Sequence, residues 1–356
     1  MNFTFYNRPD YFKQLARDID AAKPGERILV ASIVVDPEAE FVGEVFHALA
    51  GAAQRGAHVT VLVDAYTFLI SYNKMPGPLW SGQKLSSDMR HPFGQIYQRL
   101  KHIEQLGGRV DITNRPVRRF GIMHGGRSHI KAGIIGDKLY IGGCNLNRPT
   151  HIDLMVGSQN AKATGWVYEQ LMKVAATGST GAAFHGQDQR FDIDTTTALL
   201  LDAGKSRQSL ILDEAYKLID RAKKSLLVTC QYFPGGRTAN RLLTAFKRGV
   251  DVRISYSHPS VHGLETPAHH LQQLYNRLRL PSTLTQHRIP KGMPKLHAKV
   301  LVSESEAIVG SHNFVTQGVT LGTAEIALHV KDPKFAKDLK EFIEAEIRPS
   351  TANSKL

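Results

Sequence analysis

Cysteine is scarce in this chain: Cys144 and Cys230 are the only two, too few for a disulfide framework or for a zinc site built on thiolates alone. A reducing compartment fits that count, and both thiols read as buried and unreactive. Long apolar runs are missing as well. Nowhere do 18 consecutive apolar residues occur, so no membrane-crossing helix is expected. The start, Met1-Asn-Phe-Thr-Phe-Tyr-Asn-Arg-Pro9, lacks a basic segment leading into an apolar core, which argues against a secretory leader. A cytoplasmic protein is expected, with any membrane attachment peripheral. Low-complexity tracts are absent too, and 42% hydrophobic residues with 30 Gly and 16 Pro excludes a disordered or fibrous chain.

Positive charge, by contrast, is abundant. Lys and Arg exceed Asp and Glu by 13, giving a surface potential that draws polyanions, nucleic acid and anionic lipid alike. At 356 residues the chain has room for two domains of ordinary size.

Its pattern runs twice. After Pro9-Asp10, Phe12, Leu15, Ala16, Ile19 and Ala22 follow helical spacing, and Ile28–Val35 is a β-branched apolar run of the kind a strand covered on both faces requires. Val42, Val45, Phe46, Leu49, Ala50 and Ala53 predict a second helix that ends at Arg55-Gly56, before a strand at Val59–Val63. The same order returns with a helix over Leu212, Ala215, Leu218, Ile219 and Ala222, a strand at Leu226–Phe233, and a helix around Leu242, Leu243 and Phe246. Arg248-Gly249 and a strand at Val250–Ile254 complete it. Polar residues from His185 to Thr197 place a boundary near 190, dividing the chain into 1–190 and 191–356. Alternating strands and helices predict mostly parallel pairing, with a later hairpin making each sheet mixed.

The strongest signal is a repeated segment. His129-Ile-Lys131 leads to Gly142-Gly143-Cys-Asn145, and His297-Ala-Lys299 leads to Gly310-Ser311-His-Asn313, with sixteen positions from His to Asn in each and no gap. Alternation on a strand sends each His and its Lys to one face, and a polar turn, at 136–138 and again at 303–306, returns Gly-x-x-Asn to the same end. Each half thus supplies an imidazole, an ammonium and a carboxamide. Such a set suits a phosphodiester: Lys131, Lys299, Asn145 and Asn313 can hold nonbridging oxygens. One neutral His can attack phosphorus while the other, protonated, donates to the leaving oxygen and later deprotonates water or an alcohol. Nothing in this scheme calls for a metal or other cofactor. Asp153 and Glu325 interrupt apolar runs downstream, and accepting a bond from a His ring nitrogen would satisfy each carboxylate and fix a tautomer. His124 and His312 lie nearby and read as ordinary histidines.

At these residues the sequence resembles the phospholipase D superfamily, whose signature is a doubled His-x-Lys strand followed by an acidic residue and Gly-[Ser/Gly]-x-Asn. The likeness covers nearly the whole chain. Leu218–Val228, Gln231-Tyr-Phe-Pro234, Ala245–Arg253 and Thr150–Gly157 are most similar to bacterial cardiolipin synthases and related phosphatidyltransferases. The resemblance implies an α/β fold of two similar domains, each a mixed, mostly parallel sheet flanked by helices, related by a pseudo-two-fold axis with one pocket between them. It also implies a phosphohistidine intermediate formed on His129, His297 as acid and base, and Gly143 and Ser311 as substrate-binding residues. Two departures stand out. The family's usual Asp, five residues after the Lys, is Gly136 in the first motif and Glu304 in the second, with Asp137 a substitute at the first turn.

Two substrate classes remain open. A lipid enzyme, hydrolysing or transferring a phosphatidyl group at an anionic phospholipid surface, is favoured by local resemblance. An insertion from Thr67 to Gly94 carrying Phe68, Leu69, Ile70, Tyr72, Met75, Pro78, Leu79 and Trp80 could dip into a lipid interface, and could equally serve as a lid that shields the substrate. A nuclease or nucleic-acid end-processing phosphodiesterase of the same superfamily is the alternative, favoured by net charge but without an aromatic stacking platform.

Overall fold

The computed structural model describes residues 1–70, 87–114, 127–147, 150–176, 186–257, 274, 275, 278, 281, 285–289 and 294–352. The first half runs β1 (Phe3–Asn7), α1 (Arg8–Asp20), β2 (Arg27–Ser32), α2 (Val42–Gln54), β3 (His58–Asp64), α3 (Thr67–Ile70) and α4 (Ser87–Gln105). It continues through β4 (Arg109–Thr113), β5 (Ala132–Ile135), β6 (Lys138–Gly142), β7 (His151–Ile152), β8 (Leu154–Gln159) and α5 (Ala161–Ala176). The second half follows with β9 (Gln189–Asp192), β10 (Thr197–Ala203), α6 (Leu210–Arg221), β11 (Ser225–Cys230), α7 (Gly236–Lys247), β12 (Asp251–Ser257) and β13 (Thr285–Ile289). Then come β14 (Lys295–Leu296), β15 (Lys299–Ser303), β16 (Ala307–Gly310), α8 (Thr316–Leu321), β17 (Ala324–Val330) and α9 (Pro333–Ala352).

Among the described residues the first sheet has the order β1-β8-β6-β5-β2-β3-β4, and the second repeats it as β10-β17-β16-β15-β11-β12-β13 with β9 added beside β10. The expected boundary at residue 190 falls inside β9, which pairs in the second sheet. Both sheets are mixed, but parallel pairing is confined to β2-β3-β4 and β11-β12-β13. The expectation of mostly parallel sheets is corrected here. Crossovers through α2, α4 and α7 accompany the parallel pairs, whereas each hairpin, its return strand and the strands β1 and β10 add antiparallel neighbours.

The continuous apolar runs are explained by burial on both faces. Ile28 and Val30 of β2 join a core beneath α1 and α2, while Leu29 and Ala31 point the other way. In β11, Leu226, Val228 and Cys230 face α6 and α7, and Leu227 faces inward. The inward faces of both sheets meet in one core with Val167 and Leu171 of α5 and Leu339 and Ile343 of α9. Phe335 of α9 also packs edge-on against Phe3 of β1, ring centroids 4.8 Å apart, so the end of the chain closes over its beginning.

The repeated Arg-Gly pairs have a matched task. Arg55 donates to the carbonyls of Ile19 and Asp20 at the end of α1, and Arg248 donates to those of Ile219, Asp220 and Ala222 at the end of α6. Helix starts are capped as well: Asn7 accepts from Asp10 N, and Ser209 from Leu212 N.

Candidate active site

Both His-x-Lys segments enter their strands at the contact between the halves. The backbone there bonds across: His129 N donates to Ala324 O at 2.9 Å, and His297 N to Ile152 O at 2.8 Å. Short parallel pairings reinforce this, Leu296 with Ile152 and Ser128 with Ala324. The strand assignment of the His-x-Lys pairs is thereby refined. His129 and Lys131 precede β5 and His297 precedes β15, so each imidazole is fixed by hydrogen bonds to the opposite half.

Each carboxylate serves the other half's histidine. His129 Nδ1 lies 3.0 Å from both Glu325 oxygens, and His297 Nδ1 lies 2.6 Å from Asp153 Oδ2. With Nδ1 engaged, each ring has Nε2 left for a nucleophilic or acid–base role. Burial would by itself raise the Glu325 carboxyl, but the His129 ring holds it at about 2. Burial lowers His129, with Glu325 opposing. It holds His297 well below the ordinary imidazole value, helped by Lys299, Lys131 and Arg8.

The lysines are buried too. Lys131 Nζ donates to His129 O at 2.6 Å, and Lys299 Nζ to His297 O, so each ammonium is folded onto its own motif. Desolvation pulls Lys299 down to about 8 and Lys131 well below its ordinary value. The buried side-chain carbonyls of Asn145 and Asn313 have no hydrogen-bond partner.

Gly143 and Ser311 lie beside the carboxylates. A Cβ at Gly143 would overlap Asp153 Oδ1, and Ser311 Oγ donates to Glu325 Oε2 while accepting from Ile326 N at 3.0 Å. The Ser311 hydroxyl thus holds the acid that holds His129. His312 Nδ1 accepts a hydrogen bond from Phe314 N at 2.9 Å, as expected of an ordinary hydrogen-bonded histidine, and His124 lies outside the described residues. Within the Thr67–Gly94 insertion Phe68 is buried in the first core, Leu69 and Ile70 close the short helix α3, and Tyr72 to Trp80 lie outside the described residues.

The motif acid's position is filled differently in the two halves. Glu304 accepts the backbone N–H groups of Lys223, Lys224 and Ser225 at the entry to β11. In the first half Gly136 has φ +55°, a Cβ there would overlap Glu26 Oε1, and Glu26 accepts from Lys23 N at 2.9 Å. The expected substitute, Asp137, contributes its backbone carbonyl to Asn160 N.

Sequence reasoning missed four residues. Arg8 is fully buried, with Nη1 2.8 Å from His151 Nδ1 and Nη2 bonded to Asn145 O at 2.6 Å and Asn147 Oδ1 at 2.5 Å. The His151 ring stacks on His297, centroids 5.6 Å apart. Asp64 at the end of β3 accepts from Ser128 N at 3.1 Å and from Arg127 and Asn114. Its counterpart at the end of β12, Ser257, bonds both N and O of Leu296. Asp64 and Ser257 thus clamp the residue before each catalytic-candidate histidine. Among the described residues no group of three or more His, Cys, Asp or Glu has metal-site geometry, and no helix is long and apolar enough to cross a membrane.

Comparison with known proteins places the fold. Residues 216–347 match the family described as cardiolipin synthase, PLD-like domain. Phosphatidylserine synthase from Haemophilus influenzae superposes with TM-score 0.70 at 14% identity, over 98% of this chain and 86% of that one. Polyphosphate kinase from Porphyromonas gingivalis superposes with TM-score 0.58 at 14% identity, over 97% of this chain and 50% of that one. No curated protein matches by sequence. The second half thus carries a match to the cardiolipin synthase, PLD-like domain family, and the fold of the chain across both sheets is the one these solved structures share.

Proposed function

We propose that the two units, 1–190 and 191–356, form one enzyme that cleaves or exchanges a phospholipid phosphodiester through a phosphohistidine intermediate. The observation that carries this reading is the reciprocal pairing of His129 with Glu325 and His297 with Asp153, each carboxylate reaching across to the other half's ring, with the two rings close enough to feel each other's charge. One imidazole Nε2 attacks phosphorus and the other protonates the leaving oxygen. Water or an alcohol, deprotonated by the second ring, then releases the phosphoryl group.

Lys131, Lys299, Asn145 and Asn313 bind the nonbridging oxygens in this scheme. Burial disfavours two ammonium groups side by side, and an anionic phosphodiester between them restores the charge of both, so the site is adapted to bind an anion. Gly143 and Ser311 support the carboxylates and let backbone approach closely. The lipid reading is supported by the match to the cardiolipin synthase PLD-like domain and by the fold shared with a phosphatidylserine synthase. The net charge of +13 favours anionic surfaces in general and keeps nucleic acid as the competing substrate.

The test is incubation with phosphatidylglycerol vesicles and, separately, with single-stranded DNA, each with chelator present. Release or exchange of the lipid head group is expected. Turnover of DNA alone would replace the lipid reading with the nuclease one.

A further inference from the structure

The two imidazoles sit in matched positions but face unlike charges. β1 ends with Asn7 opposite Leu154, so the next residue, Arg8, comes level with Asp153; in the second sheet Asp202 stands opposite Glu325. Behind one His–carboxylate pair the fold therefore buries a cation, and behind the other an acid, both almost free of solvent. We infer that Arg8 and Asp202 divide the labour between the rings, making His297 the attacking nucleophile and His129 the proton donor. This is the reverse of the division the resemblance implies, and it rests on the phosphohistidine reading above.

The buried guanidinium of Arg8 faces His151 Nδ1 with Nη1, and because a guanidinium can only donate, that ring acts as an acceptor and stays neutral. Burial first and then Arg8 hold His151 at about 2. A neutral His151 ring stacks on His297. The ionisable groups facing His297 are then Asp153 against Lys299, Lys131, Arg8 and His129, a cationic majority that favours the neutral, nucleophilic form.

Around His129 the balance differs. Glu325 engages Nδ1 through both oxygens, Lys131 and Lys299 oppose it, and His312 and Asp202 lie beyond Glu325. Asp202 is raised to about 7 by burial, with Ser209 and Ile211 N–H opposing, so from neutral pH upward it adds negative charge behind Glu325. The His129 side chain is also the more exposed, 17% against 9% for His297. Both differences favour the protonated form of His129.

The step is balanced. His297 Nε2 forms a bond to phosphorus as the bond from phosphorus to the leaving oxygen breaks, and the proton on His129 Nε2 passes to that oxygen. In the second half-reaction His129 takes a proton from water or an alcohol, whose oxygen displaces His297 and restores both rings.

The probe is bis(4-nitrophenyl) phosphate, whose leaving group departs without a proton, applied to folded His129→Asn and His297→Asn with circular dichroism as the check on folding. His129→Asn should release close to one equivalent of nitrophenolate per chain and stall. Alkaline quench and peptide mass spectrometry should then find the phosphoryl group on His297, and His297→Asn should show no burst. A burst in His297→Asn with the group on His129 overturns the assignment while leaving the phosphohistidine reading intact. Wild-type turnover with no burst or adduct in either variant overturns both.

The tuning residues are tested by pH profiles of kcat/KM. Arg8→Gln should raise the acidic-limb pKa, and Asp202→Asn should lower the alkaline-limb pKa, each by about one unit. A uniform loss of rate with neither limb moved, in either folded variant, would make these residues merely structural.

Discussion

The two halves hold their histidines by the same geometry with different parts. In the second half the carboxylate is a Glu, and a serine hydroxyl ties one of its oxygens down; in the first it is the shorter Asp, packed where a glycine leaves room. Behind the first lies Arg8 and behind the second Asp202. Duplication preserved the placement of the rings, and the residues behind them diverged in size and charge. A symmetric fold can in this way carry an asymmetric reaction, which needs one imidazole neutral and the other protonated at the same moment.

The sharpest way to break the comparison is to neutralise the carboxylates. Asp153→Asn and Glu325→Gln keep shape but lose the charge that fixes each tautomer, and each should lower kcat by about 10³–10⁴-fold. If steady-state kinetics with the preferred phosphodiester found one variant near wild type, that carboxylate would not orient its histidine.

A smaller and unequal effect is expected from the residues beside them. Gly143→Ala drives a methyl group into Asp153 and should cost about 10²-fold in kcat, because a small misplacement of a reacting group is expensive. Ser311→Ala removes one hydrogen bond to a carboxylate that keeps its bond to His129, and about a tenfold loss is expected. Equal losses would mean that the two supports are equivalent after all.

Acid should destabilise both halves together. His129 and His297 are lowered in the folded chain, so below their unfolded value, about 6.5, the unfolded state binds more protons and stability falls with pH. Glu325, held at about 2, contributes stability that is present above its unfolded value of about 4.3 and is lost as pH falls toward 2. Asp202, raised to about 7, works the other way over this range, so the expected result is a urea midpoint that falls from pH 7 to pH 4 more steeply in the wild type than in His297→Asn. Equal slopes in the two proteins would contradict a lowered His297 imidazole.

The smallest difference concerns the turns. Glu304→Ala releases three backbone N–H groups and should cost about 1–2 kcal/mol, whereas Glu26→Ala releases one and should cost about 1 kcal/mol or less by thermal melts. The reverse order would show that Gly136 has not simply delegated the acid's task to Glu26.

Much of this could be read from the sequence because the relevant signals are local. Apolar runs covered on both faces, the Arg-Gly helix ends and the two gapless His-to-Asn segments each depend on residues close in the chain. The acids Asp153 and Glu325 stood out for the same reason, since a charge inside an apolar strand demands a partner. Which partner was hidden: each acid crosses to the other half, and no spacing rule reports that. Arg8, Asp64, Asp202 and Ser257 were hidden more completely. They act on the site only after β1, β3, β10 and β12 bring their ends to it, and an Arg at a helix start reads as solvent-facing until tertiary packing buries it. The antiparallel majority in each sheet escaped for a related reason, because β1 and β10 pair with strands that lie far along the chain.

The central claim is that one phosphorus atom is held by imidazoles from both halves. A crystal structure with vanadate, which takes up the five-coordinate geometry of phosphoryl transfer, tests it directly. A single vanadate within bonding reach of His129 Nε2 and His297 Nε2, with Lys131 and Lys299 on its remaining oxygens, is the expected result. Separate ions at the two histidines, or none touching either, would contradict it.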